Sequence, residues 1–68
     1  MDVVTLDVNR TEYNMARAAV GSITVDQFID ILRHYPGDAP VVFRNDGGYT
    51  YGRLCEDFIE CEWADEDD

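Results

Sequence analysis

The chain contains no lysine. Its five basic residues are all arginine (Arg10, Arg17, Arg33, Arg44 and Arg53), and they are too scattered to form a basic patch. Affinity for nucleic acid comes mainly from neutralising phosphates, so direct nucleic-acid binding is disfavoured. Histidine is scarcer still, with His34 alone. A nucleophilic triad needs a nucleophile, a base and an orienting group brought together, and His34, beside Arg33 at a helix end, reads as a surface residue. Cys55 and Cys61 are the only cysteines. Their separation is not the C-x-x-C of zinc or redox sites, and nothing local activates either thiol. They read as ordinary small apolar side chains, reduced in a cytoplasmic setting. No apolar run approaches the roughly 20 residues that span a bilayer. Met1-Asp2-Val3-Val4 lacks the basic start of a secretory signal, so the expected location is the cytoplasm.

What the chain has in excess is acid. Of its 15 Asp and Glu residues, eight fall in the last fourteen positions, Cys55-Glu-Asp-Phe-Ile-Glu-Cys-Glu-Trp-Ala-Asp-Glu-Asp-Asp68, with no basic residue among them. The net charge is −10, so this tail carries −8 and residues 1–54 carry −2, seven acids against five arginines. Carboxylates at this density repel phosphates and attract basic grooves.

Sixty-eight residues make one domain. A chain of that size buries only about 60% of its unfolded surface, enough for a thin core and little for an enclosed substrate cavity. At 46% hydrophobic residues it is too apolar for a typical disordered acidic protein. A single domain is expected over residues 1–63, with a flexible acidic end at 64–68.

Val3-Val4-Thr5-Leu6-Asp7-Val8 is β-branched and partly alternating, which predicts a strand. Asn9 with Glu12 resembles a capping pair. The helix-favouring run from Arg10 to Val20 follows, with Tyr13, Ala16 and Val20 on one face and Gly21 as a left-handed cap. Thr24-Val-Asp-Gln27 is a capping box, and Val25, Phe28, Ile29 and Leu32 have the spacing of a buried helical stripe. Pro36-Gly37 ends that helix. Pro40–Arg44 and Tyr49–Leu54 flank the turn formers Asn45-Asp-Gly-Gly48, which predicts a hairpin. Phe58-Ile-Glu-Cys-Glu-Trp63 alternates and reads as a further strand, a helix from Glu56 being the alternative. The expected fold class is α+β: a small, mostly antiparallel sheet in the order β-α-α-β-β-β with two helices packed on one face.

Enzymatic motifs are lacking. The loop around Asp46 does not fit an EF-hand, because Arg53 falls where the bidentate Glu belongs. Gly47-Gly48 lacks the spacing and lysine of a phosphate loop. Paired carboxylates acting as acid and base need a cleft, for which the chain is short. A small hydrolase would need a pocket gathering His34 with a cysteine or carboxylate. No catalytic residue, metal or cofactor is expected.

The stretch Ile23–Leu54 comprises a capped helix ending near Tyr35-Pro36, then Gly37-Asp-Ala-Pro-Val-Val-Phe43 and a Gly-rich hairpin into Tyr49-Thr-Tyr51. It resembles a type of small protein common in bacteriophages and other mobile elements. The resemblance covers about thirty residues and implies an αββ core and no reaction. In size, charge and implied origin the chain is similar to inhibitors of host defence, including anti-CRISPR proteins and other DNA mimics.

That comparison makes the acidic C-terminus the candidate site. If Phe58–Trp63 is a strand, Glu60 and Glu62 point the same way about 6.6 Å apart, close to the spacing of successive phosphates. Glu56 and Asp57 before them, and Asp65 and Glu66 beyond, extend the line of charge, with Phe58 and Trp63 as apolar anchors. The expected partner is a host nucleic-acid-binding protein with a basic groove. Two other readings compete: the acid only keeps a small protein soluble, or the chain is a structural or assembly accessory that self-associates or binds a phage component. Phe43, Tyr49 and Tyr51 are expected as cross-strand pairs more than as a partner patch.

Overall fold

The computed structural model describes residues 1–8 and 12–64. Five elements follow in order: strand β1 (Val4–Asp7), helices α1 (Met15–Val20) and α2 (Val25–Leu32), and strands β2 (Val41–Asn45) and β3 (Thr50–Arg53). Single 3-10 turns occupy Asp46–Gly48 and Glu56–Phe58. The fold is α+β.

Helix α1 starts later than the composition predicts. Asn14 is its cap, the side-chain oxygen accepting from the Arg17 N–H at 3.0 Å. Asn9, Arg10 and Thr11 lie outside the described residues. Gly21 has φ −91°, so it closes the helix without a left-handed turn. Tyr13 and Val20 of the predicted apolar face are both exposed, and only Ala16 is half-buried.

Helix α2 begins where its capping box places it. The Gln27 N–H donates to Thr24 Oγ1 at 3.2 Å, and the Thr24 N–H donates to Gln27 Oε1 at 2.8 Å. Two otherwise orphaned amides are thereby satisfied. Thr24→Ala is expected to cost about 1 kcal/mol and lower the thermal unfolding midpoint, with Thr24→Ser restoring it. Beyond Leu32, Arg33 reaches Asp30 at 3.9 Å, but both side chains are well exposed, so this pair adds little. His34 lies past the end of α2 and is exposed.

The sheet has the order β1-β2-β3 and is mixed. β2 and β3 form the predicted antiparallel hairpin, whereas β1 runs parallel to β2. Parallel neighbours cannot be joined by a tight turn; here α1 and α2 are the crossover. Cross-strand partners share a face, so the register places Val4, Leu6, Val41, Phe43 and Gly52 on one side. Thr5, Asp7, Val42, Arg44, Tyr51 and Arg53 lie on the other. Phe43 therefore opposes Gly52, and Tyr51 opposes Arg44. The expected aromatic cross-strand pairing does not form, because Phe43 and Tyr51 are adjacent to each other in neither register nor face.

Asp7 and Arg44 are directly opposite across β1 and β2, and their side chains form a two-pronged pair. Arg44 Nε donates to Asp7 Oδ1 at 2.9 Å and Nη2 to Oδ2 at 2.5 Å. Hydrogen bonding from Arg44, aided by its charge and opposed by partial desolvation, holds the Asp7 carboxyl below its ordinary range. A carboxylate with a depressed folded pKa stabilises the fold above its unfolded pKa and loses that contribution as pH falls through the folded value. Asp7→Asn should therefore lower the unfolding midpoint at neutral pH and narrow its gap to the native chain under acid. A thermal-melt series below pH 4 checks this.

No described residue is buried. Phe28 and Leu32 on α2, Val4 and Leu6 on β1, and all of β2 are half-buried. These residues constitute what core there is. The predicted α2 stripe is only partly covered, for Val25 is 75% and Ile29 42% exposed. The accessible surface totals 6496 Å² for 7.8 kDa, where a compact monomer of that mass has about 4,400 Å². The radius of gyration, 13.7 Å, likewise exceeds the roughly 11 Å of a compact chain this long.

Candidate functional site

After β3 the chain makes the turn at Glu56–Phe58 and then runs without regular structure from Ile59 to Ala64. The alternating segment Phe58–Trp63 is thus not a strand, and the helix alternative extends no further than the one 3-10 turn. A strand needs a neighbour to take its backbone hydrogen bonds, and this segment pairs with neither edge strand of the sheet, β1 or β3. With no pleat to aim them, Glu60 and Glu62 lose the regular spacing that an extended strand imposes.

The segment runs instead beside α1. Met15 and Ala19 share a cleft with Phe58, Glu60, Cys61, Glu62 and Ala64. Ala16, Ala19 and Val20 share another with Trp63 and Ala64. Ala16 and Ala19 lie i, i+3 on one side of α1, and their small side chains leave room for the passing backbone. Ala64 is half-buried there. Helix α1, which Asn14 caps, is therefore the element that lies beside the acidic segment.

Glu56, Asp57, Glu60 and Glu62 are all exposed. Among the described residues two ion pairs occur, Asp7–Arg44 and Asp30–Arg33, and neither uses these four carboxylates. Among the described residues no arginine compensates them. The apolar candidates are also open to solvent: Phe58 is 69%, Ile59 65% and Trp63 93% exposed. Asp65 and Glu66 lie outside the described residues. The structure thus brings six of the eight candidates, Glu56, Asp57, Phe58, Glu60, Glu62 and Trp63, onto one continuous exposed stretch. Sequence reasoning missed Ile59, exposed between Phe58 and Glu60, and missed Met15 and Ala19 as neighbours of the segment.

Other chemistry has little to build on. Cys55 and Cys61 are exposed and unbridged, in contrast to the half-hidden apolar role their composition suggests. Among the described residues no group of three or more His, Cys, Asp or Glu side chains is arranged to hold a metal ion. The cleft beside the Asp7–Arg44 pair is lined by Val8, Asn45, Asp46 and Gly47 in addition. It contains neither His34 nor a cysteine. Among the described residues no helix is long and apolar enough to cross a membrane. The chain matches no family model, no curated protein and no solved structure.

Proposed function

We propose that the chain is a non-enzymatic acidic inhibitor that occupies a positively charged nucleic-acid-binding site on a host protein, as phage-borne DNA mimics do. The observation that carries this reading is the set of four exposed, unpaired carboxylates, Glu56, Asp57, Glu60 and Glu62, on one stretch with Phe58, Ile59 and Trp63. Carboxylates that merely solubilise need no apolar company. Here the aromatic side chains supply contact area of the kind that dominates interface energetics, and the charge supplies steering.

The loss of strand geometry changes the form of the mimicry. Regular phosphate-like spacing is not required of it; a run of carboxylates without regular secondary structure is not locked to one spacing and can meet a basic groove side chain by side chain. Its negative charge then acts mainly on the rate of encounter, which falls as salt screens it.

Affinity capture from bacterial lysate tests the reading. With the intact chain as bait, a nucleic-acid-handling protein is expected at low salt and is lost at high salt. Recovery of the same partner regardless of salt, or of none with a basic groove, contradicts it.

A further inference from the structure

The acidic stretch is bracketed by the chain's two thiols. Cys55 and Cys61 are both exposed and unbridged, and five residues separate them: Glu56, Asp57, Phe58, Ile59 and Glu60. Three of the four unpaired carboxylates therefore lie between the sulfurs, together with Phe58 and Ile59. The chain already folds back there, since the Phe58 N–H donates to the Cys55 carbonyl at 3.0 Å and the Ile59 N–H to the Glu56 carbonyl at 3.1 Å. A hydrogen-bonded turn of this kind holds its first and fourth Cα atoms within about 7 Å. From Ile59 onward no regular structure holds the backbone. Rotation at Ile59 and Glu60 is enough to bring Cys61 to the roughly 5.5 Å Cα separation of a disulfide.

Charge decides between possible partners for either thiol. Glutathione is a net anion, and a glutathione adduct would sit among carboxylates that no described arginine neutralises. Two chains joined through these cysteines would bring together segments that each carry −8, a repulsion felt most at low salt. The other cysteine of the same chain meets no such repulsion. The ring it closes is short, so its closure entropy is modest.

We propose that Cys55 and Cys61 form a reversible disulfide that closes the acidic stretch and switches off its capture of a basic groove. A small disulfide, oxidised glutathione, is the oxidant. One cysteine thiolate attacks it, breaking its S–S bond, releasing one glutathione thiol and leaving a mixed disulfide. The other cysteine then displaces the second glutathione as the Cys55–Cys61 bond forms. Two electrons pass from the cysteine sulfurs to glutathione, and the two cysteine protons end on the released thiols. Open, the run from Cys55 to Cys61 can extend to about 20 Å, long enough to lie along a groove shaped for a phosphate backbone. Closed, its ends are held about 5.5 Å apart, and the carboxylates bunch around a ring. The switch rests on the function proposed above; the disulfide stands without it.

Mass spectrometry of the intact chain, incubated at low salt with oxidised glutathione, tests the chemistry. The expected product is a single chain lighter by two hydrogen atoms, with both thiols lost to titration and restored by reductant. Cleavage after Phe58 should leave its two fragments joined until reduction. Cys55→Ser and Cys61→Ser, both at exposed positions, should each stop at the glutathione adduct on the remaining cysteine. Free thiols, a stable adduct on the native chain, or a cross-linked pair of chains as the main product overturns the proposal. Surface plasmon resonance with the captured host protein reads the regulation. The closed chain should lose most of its binding, reductant should restore it, and Cys55→Ser/Cys61→Ser should bind alike with and without oxidant. Equal binding by open and closed chains overturns the switch. If the reduced chain captures no partner with a basic groove, the inhibitor reading fails and the switch with it, whereas the mass still decides the disulfide.

Discussion

Reversing Glu60 and Glu62 to lysine is expected to reduce the association rate with the captured partner roughly ten- to a thousandfold, the range that electrostatic steering spans, while leaving the thermal midpoint unchanged. Both side chains are exposed and neither forms an ion pair among the described residues, so inverting their charge is expected to leave the fold intact. The expected loss is largest at low ionic strength and shrinks as salt screens the native charge. Surface plasmon resonance at two salt concentrations measures it. Reversal of Asp26 and Asp38, two acids of the body, provides the comparison: equal loss from that pair would mean that net charge, and not this segment, governs binding.

The second large effect belongs to the hairpin turn. Asp46, Gly47 and Gly48 have φ of 51°, 67° and 107°, three successive residues on the positive side. Asp tolerates the left-handed region moderately well, and Gly47 sits close to its centre. Gly48 is farther out, where a side chain is strained whatever the space around it. A Cβ there would also lie 3.3 Å from the Tyr51 hydroxyl. Gly48→Ala should cost about 1–3 kcal/mol, roughly 5–20 °C in a domain this small. Gly52 is the contrast: it stands in β3, and a Cβ there would meet Phe43 at 3.8 Å, an ordinary contact. Gly52→Ala should be neutral or mildly stabilising. Melting curves of the two variants side by side check both halves, and equal destabilisation would contradict the backbone account.

These two regions also show what the sequence makes legible. The α2 capping box and the Asn45–Gly48 turn are local signals, encoded within four residues each, and both form where those residues predict. The α+β class follows from them. Alternation in Phe58–Trp63 is equally local, but a strand also has to be laid against a sheet edge, and where the chain runs after β3 depends on the whole topology. The pairing of β1 with β2 joins residues 37 apart at Asp7 and Arg44, and nothing in either segment announces a parallel ladder. Asn14 caps α1 although the composition favours helix from Arg10, because several residues can cap a helix and tertiary context selects among them. The acidic character of the site was plain from composition alone. Its position beside Met15, Ala16 and Ala19 was not, since small residues on a helix carry no signal of what passes them.

Competition tests the central claim most directly. The captured host protein is loaded with a fluorescently labelled oligonucleotide, and the intact chain is titrated in while anisotropy is recorded. Occupation of the nucleic-acid site predicts full displacement of the oligonucleotide, with the Glu60→Lys/Glu62→Lys variant shifting the curve to much higher concentration. A stable ternary complex, with anisotropy that rises and the oligonucleotide retained at saturating chain, would contradict it.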